Sequence, residues 1–139
     1  SNGTIFMAQK IGQNAVYGFL GGTSGSGANN FIFDYQPTGS LGRFRFNGAD
    51  GNFVGVGSAV YSLNQNYVIS GRWSESQVWY SVDGVSTSPV STDAMTSVPS
   101  PYILHYTPRA DTYNRIIFYP ITLSGADVTT VTNAIKDGP

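Results

Sequence analysis

Apolar and polar residues alternate along much of this chain, most clearly in Tyr67–Val85 (YVISGRWSESQVWYSVDGV). Two alternating runs, Tyr67–Trp73 and Val78–Val82, flank a polar turn at Ser74, Glu75, Ser76 and Gln77. A period of two gives a strand one buried and one outward face, so Val78, Tyr80 and Val82 point one way and Trp79, Ser81 and Asp83 the other. Asp83-Gly84 closes the run as a tight turn that needs positive φ. A hairpin of this length is not stable alone in water, so it predicts a packed sheet around it.

The same rule applied in order predicts strands at Thr4–Ala8 and Val16–Leu20, with Lys10–Asn14 turning between them. Gly21–Asn30 (GGTSGSGANN) reads as a surface loop. Phe31–Gln36 and Leu41–Asn47 alternate, placing Phe31, Phe33, Phe44 and Phe46 inside and Asp34, Gln36, Arg43, Arg45 and Asn47 outside. Gly48–Asn52 is a turn, and Phe53–Val60 a strand whose glycines predict a bulge or a close backbone approach. Ser86–Pro101 is a Ser/Thr/Pro-rich loop with room for one short edge strand. Tyr102–Tyr106 and Tyr113–Tyr119 are strands about a turn at Pro108–Thr112. In the tail, Ser124 followed by Asp127 forms a near capping box, and Val128, Val131 and Ile135 fall at helical spacing up to Gly138. The expectation is an all-β, two-sheet antiparallel sandwich with one short C-terminal helix.

Composition narrows the function. The 139 residues suit a single domain, 1–139, read as a fragment of a longer chain; the opening Ser-Asn is either an added remnant or the point where that chain was cut. Charged residues are 11% and net charge is −1, which argues against the basic patch that nucleic acid or an anionic membrane demands. No apolar run approaches the ~20 residues of a spanning helix. There is no cysteine, which favours an intracellular or prokaryotic origin over a disulfide-bonded secreted one.

The order GTIFMAQK, RFRFNG, NYVISGRWSESQVWYSVDGV, YNRIIFYPITLSGADV resembles the laminin-G/pentraxin-like, concanavalin A-like jelly roll. That family has an early Gly-Thr-Ile/Leu-Phe/Leu strand, a central hairpin ending in a Leu/Tyr-Tyr-Val/Ile-Asp-Gly phrase (here Trp79–Gly84) and a last strand running into an Ile/Val-Tyr-x-x-x-Leu-Ser phrase (here Phe118–Ser124). The likeness covers most of residues 3–135. It departs at Asn66-Tyr67, where the family carries Trp-His, and the family often begins with one further strand. The polar loops and low charge also resemble receptor-binding modules of bacteriophage tail fibres and tailspikes, which are trimers. These likenesses imply a virion-surface or extracellular setting, a homo-oligomer and, from pentraxin-like relatives, calcium held by oxygen ligands such as Asp50 and Asn52 in the GADGN rim turn and Asn47 just before it. The alternative is that these are turn residues only.

Catalysis finds no support in the residues. Glu75 is the only glutamate and sits in a turn, so the paired carboxylates of glycoside hydrolysis are missing. His105 is the only histidine, and no Ser–His arrangement with a third positioned group is visible. GGTSGSG lacks the lysine and following helix of a phosphate loop. Carbohydrate binding fits better: an aromatic ring stacks on the C–H face of a pyranose while planar polar groups pair with its hydroxyls. Trp79, Arg43, Arg45, Asn47, Asp34 and Arg72 are the expected recognition residues, and cell-surface glycan the expected partner. An ordinary solvated sheet face is the competing reading. An outward Trp79 requires a ligand, a helix or another chain against it, so an assembly contact in a trimeric fibre, or a laminin-G-like adhesion module, remains open.

Overall fold

The computed structural model describes residues 1–10, 20–21, 28–36, 41–51, 53–60, 62, 64–97 and 112–138. It is an antiparallel β-sandwich with one C-terminal helix. The first sheet runs β10 (Thr112–Tyr119), β1 (Gly3–Lys10), β6 (Asn66–Trp73), β7 (Gln77–Val82) and β8 (Val85–Ser86), with β9 (Val90–Ser91) also on β7. The second runs β2 (Leu20–Gly21), β3 (Asn30–Gln36), β4 (Leu41–Asn47) and β5 (Phe53–Val60). The first strand lies between β6 and the last strand, so the two ends of the sequence meet in one sheet.

The pleat is as the alternation predicts. Phe31, Phe33, Phe44 and Phe46 from the second sheet meet Ile5, Met7, Ile69, Trp73, Val78 and Tyr80 from the first in one buried cluster. Trp73 stacks on Phe31 with ring centroids 5.5 Å apart. Such offset ring packing adds about 0.5–1.5 kcal/mol per pair beyond burial. The predicted bulge is present: Arg43 pairs with Ser58 but Phe44 with Val56, leaving Gly57 as the extra residue of β5.

The expected turn at Asp83-Gly84 is a two-residue hairpin turn with both φ positive, 51° and 84°, the mirror-image type whose twist matches the flanking strands. The Asp83 carboxylate accepts from the Val68 N–H at 3.0 Å and pairs with Lys136 Nζ at 3.1 Å. Helix α1 (Gly125–Asp137) carries the full capping box: Ser124 Oγ accepts from Asp127 N–H, and the Asp127 side chain accepts from Ser124 N–H. Gly138 ends the helix in an extended conformation, not a left-handed one.

The helix covers the outer face of the first sheet. Val128 seals against Phe6, Ala8 and Val68, with Ile117, Tyr119, Leu123, Val131 and Ile135 around them. Lys10, expected to open the turn at Lys10–Asn14, still pairs with Asn66 in β1, and residues 11–14 lie outside the described residues. Of the expected loop Ser86–Pro101, Ser86 completes β8 and the described residues hold one short edge strand, β9, paired with β7. The predicted strand Tyr102–Tyr106, with His105, and all of Val16–Leu20 except Leu20 lie outside the described residues.

Candidate functional site

The six expected recognition residues divide between two outer faces. Arg72 and Trp79 are cross-strand partners on β6 and β7 in the first sheet. Arg43, Arg45 and Asn47 lie on β4 in the second, and Asp34 on β3 is the strand partner of Arg43. Sheets stack about 10 Å apart, so these faces look away from each other and one small sugar cannot touch both.

On the second sheet, Arg43 and Arg45 are half-buried, as expected of cations beside an aromatic core. Asn47 is not outward to solvent: it is wholly buried, together with its strand partner Asn30. The reason is local crowding at this end of the sheet. The Asn29 N–H donates to Gly48 O, the Ala49 N–H donates to Ala94 O, and Asn29 Oδ1 accepts from the N–H and hydroxyl of Thr96. These bonds draw three loops over the strand ends. The oxygen donors expected for calcium are Asp50, Asn52 and Asn47. Asn47 is enclosed, Asp50 is exposed on the turn, and Asn52 lies outside the described residues. Among the described residues no three acidic or histidine side chains come together.

On the first sheet the expectation changes more. Arg72 is only 8% exposed, where the alternation placed it in solvent. The segment between β10 and α1 folds back over it. Nη1 of Arg72 donates to Leu123 O at 2.7 Å. Thr4 Oγ1 donates to Ile121 O and accepts from Leu123 N–H, and the Thr122 hydroxyl donates to Trp73 O. Burial pushes the Arg72 guanidinium below its ordinary pKa, a desolvation effect that disfavours the cation. Trp79 does face away from the core, and it is half-buried because the Arg72 guanidinium carbon sits 4.7 Å from its ring centroid. The outward tryptophan therefore has a partner within its own chain. Ser81, also expected outside, is buried and shares a 2.8 Å hydrogen bond with the Ser86 hydroxyl.

A transverse row thus crosses the outer face of the first sheet: Tyr119, Thr4, Arg72 and Trp79, register partners on β10, β1, β6 and β7. The first turn of α1 stands beside it. A β-carbon at Gly125 would lie 3.8 Å from Nη2 of Arg72. Sequence patterning could flag Arg72 and Trp79 as a pair, but not the strap across them.

No family model and no curated protein sequence matches this chain. Its fold is shared with solved lectin-type jelly rolls of the concanavalin A-like kind. A structure of botulinum neurotoxin type C, whose cell entry depends upon interaction with two ganglioside molecules, superposes with TM-score 0.72 at 10% identity over 96% of this chain. The sialidase CBM40 of Ruminococcus gnavus, bound to α2,3 sialyllactose, gives 0.69 at 17% identity over 94% of this chain and 82% of its own. The heptameric SAP-like pentraxin of Limulus polyphemus gives 0.71 at 12% identity, over 94% of this chain and 69% of its own. The chain spans about a third of the botulinum toxin chain, 36%. At these identities the likeness establishes the fold. No helix among the described residues is long and apolar enough to cross a membrane.

Proposed function

We propose that this chain is a non-catalytic carbohydrate-binding domain that recognises cell-surface glycan, at the end of a bacteriophage tail fibre or tailspike. The supporting observation is the company the fold keeps: near-complete superposition on proteins that engage gangliosides and sialyllactose. The outer faces carry the matching chemistry, a half-buried tryptophan with an arginine on one sheet and two half-buried arginines, Arg43 and Arg45, on the other. Low charge, absence of cysteine and Gly/Ser-rich loops suit a virion-surface setting. Weak single sites would gain strength from several copies. Glycan-array screening with and without calcium, beside native mass measurement, tests the reading. Reproducible binding to a defined glycan class is expected, and a blank array sinks it.

A trimeric structural module that binds nothing is the second reading. It draws on β10, the outermost described strand of the first sheet, where Ile116 and Phe118 are each 38% exposed and Ile121 beyond them 56%. A stable trimer in the mass measurement together with a blank array favours it.

A further inference from the structure

Arg72 is a nearly buried cation with an unusual set of partners. A charge removed from water normally meets an opposite charge, because unpaired burial is costly. Among the described residues no carboxylate lies within ion-pair distance of it. Its contacts are the Leu123 carbonyl and the face of Trp79. Among the described residues Nη1 of its three nitrogens is bonded, Nε is sealed without a partner, and Nη2 meets no acceptor and is not sealed. The open nitrogen is therefore the one beside Gly125.

The surroundings do not cancel this charge. Nη2 faces the N-terminus of a 13-residue helix, the positive end of its dipole. Among the described residues the N–H groups of Gly125 and Ala126 meet no acceptor, and both residues are exposed. The one acidic side chain of the first turn, Asp127, is turned back to the cap: its Oδ2 holds the Ser124 hydroxyl at 2.6 Å and the Ser124 N–H at 3.3 Å. Guanidinium, dipole and free N–H groups converge on one spot next to the ring of Trp79.

We propose that Arg72 Nη2, the Gly125 and Ala126 N–H groups and the Trp79 ring form a site for a sugar bearing a carboxylate. The carboxylate takes the hydrogen bonds of Nη2 and the helix end, as anions do at helix N-termini, and the pyranose rests against the indole. The proposal depends on the carbohydrate-binding reading and narrows it to acidic sugars.

The test is an NMR titration of the isotopically labelled chain with sodium glucuronate and, separately, with glucose. Glucuronate is expected to give saturable shifts at the Arg72 Nε–H, the Trp79 indole N–H and the Gly125 and Ala126 amides, weaker at about 0.15 M salt than at low salt. Glucose is expected to leave them unmoved. Because removing Arg72 could unfold the strap, the decisive variant is Gly125→Asp, which places the chain's own carboxylate beside Nη2. It is expected to keep or raise the Tm and to weaken glucuronate at least tenfold. Unsaturable shifts with glucuronate, or undiminished glucuronate binding by Gly125→Asp, overturn the site. Equal responses to glucose and glucuronate overturn its acidic selectivity and leave the broader reading standing. A blank glycan array beside a saturable glucuronate response removes host recognition and keeps the site.

Discussion

The ring of Phe44 on one sheet lies directly over the α-carbon of Gly71 on the other. A β-carbon at Gly71 would come within 2.5 Å of Phe44 Cζ, closer than any real contact. Phe44 is wholly buried and also packs on Phe33, with centroids 4.7 Å apart, so the ring has nowhere to retreat. Gly71→Ala is expected to overpack the inter-sheet core and lower stability by about 1–3 kcal/mol, read as a drop in the urea midpoint. Pairing it with Phe44→Leu, which shortens the facing side chain, should recover part of that loss. If the two substitutions cost independently, the close contact is not what makes the glycine necessary.

Trp79→Ala removes the ring from above Arg72. Loss of the cation–π contact and of its cover over the guanidinium is expected to cost about 1–2 kcal/mol. Thermal melting gives the stability, and native mass reports assembly at the same time. Since Arg72 already partners this ring, the oligomeric mass is expected to stay unchanged. A variant that falls apart into smaller species would place Trp79 at an interface instead.

Asp83 combines a left-handed backbone, a hydrogen bond from Val68 N–H and an ion pair to the helix. The ion pair is partly solvated, with the two side chains 43% and 31% exposed, and is worth at most about 1 kcal/mol. Asp83→Asn keeps an amide oxygen for Val68 and tolerates positive φ, so a loss below about 1 kcal/mol is expected. Asp83→Ala forfeits all three features and should cost about 1–3 kcal/mol. Chemical denaturation of the two variants side by side checks the order.

Ser124→Ala breaks the capping box of α1. A loss of about 1 kcal/mol is expected, and hydrogen exchange should show it concentrated in α1 and in the Phe6, Ala8 and Val68 amides beneath. Uniform loss of protection across both sheets would mean that helix and sandwich unfold as one unit.

Much of this architecture was readable from local pattern. Alternation identified β1, β3, β4, β6, β7 and β10 and the inward rings, the glycines of β5 marked its bulge, and Ser124 with Asp127 marked the helix start. What local pattern could not give was which outer face a residue joins. Arg43 and Arg72 both alternate away from the core, but strand pairing across the sequence sets them on opposite sides of the sandwich. Nor does periodicity reveal cover supplied from afar. Arg72 is enclosed by Leu123, 51 residues later, and Asn47 by loops whose bonds reach from Asn29 to Thr96, 67 residues apart. The recognition wall inferred from the sequence is thus two separate surfaces, each partly roofed.

The placement of β1 has a kinetic corollary. Its neighbours are a strand from mid-chain and one from near the end, and the Thr4 hydroxyl bonds a carbonyl 117 residues away. During synthesis β1 emerges first and must wait with one edge bare until β10 arrives. Pairings of such long range make folding slow, and an exposed strand edge invites association with other chains. Nascent copies held close together would be at risk of exchanging β10 between neighbours before each sheet closes on itself.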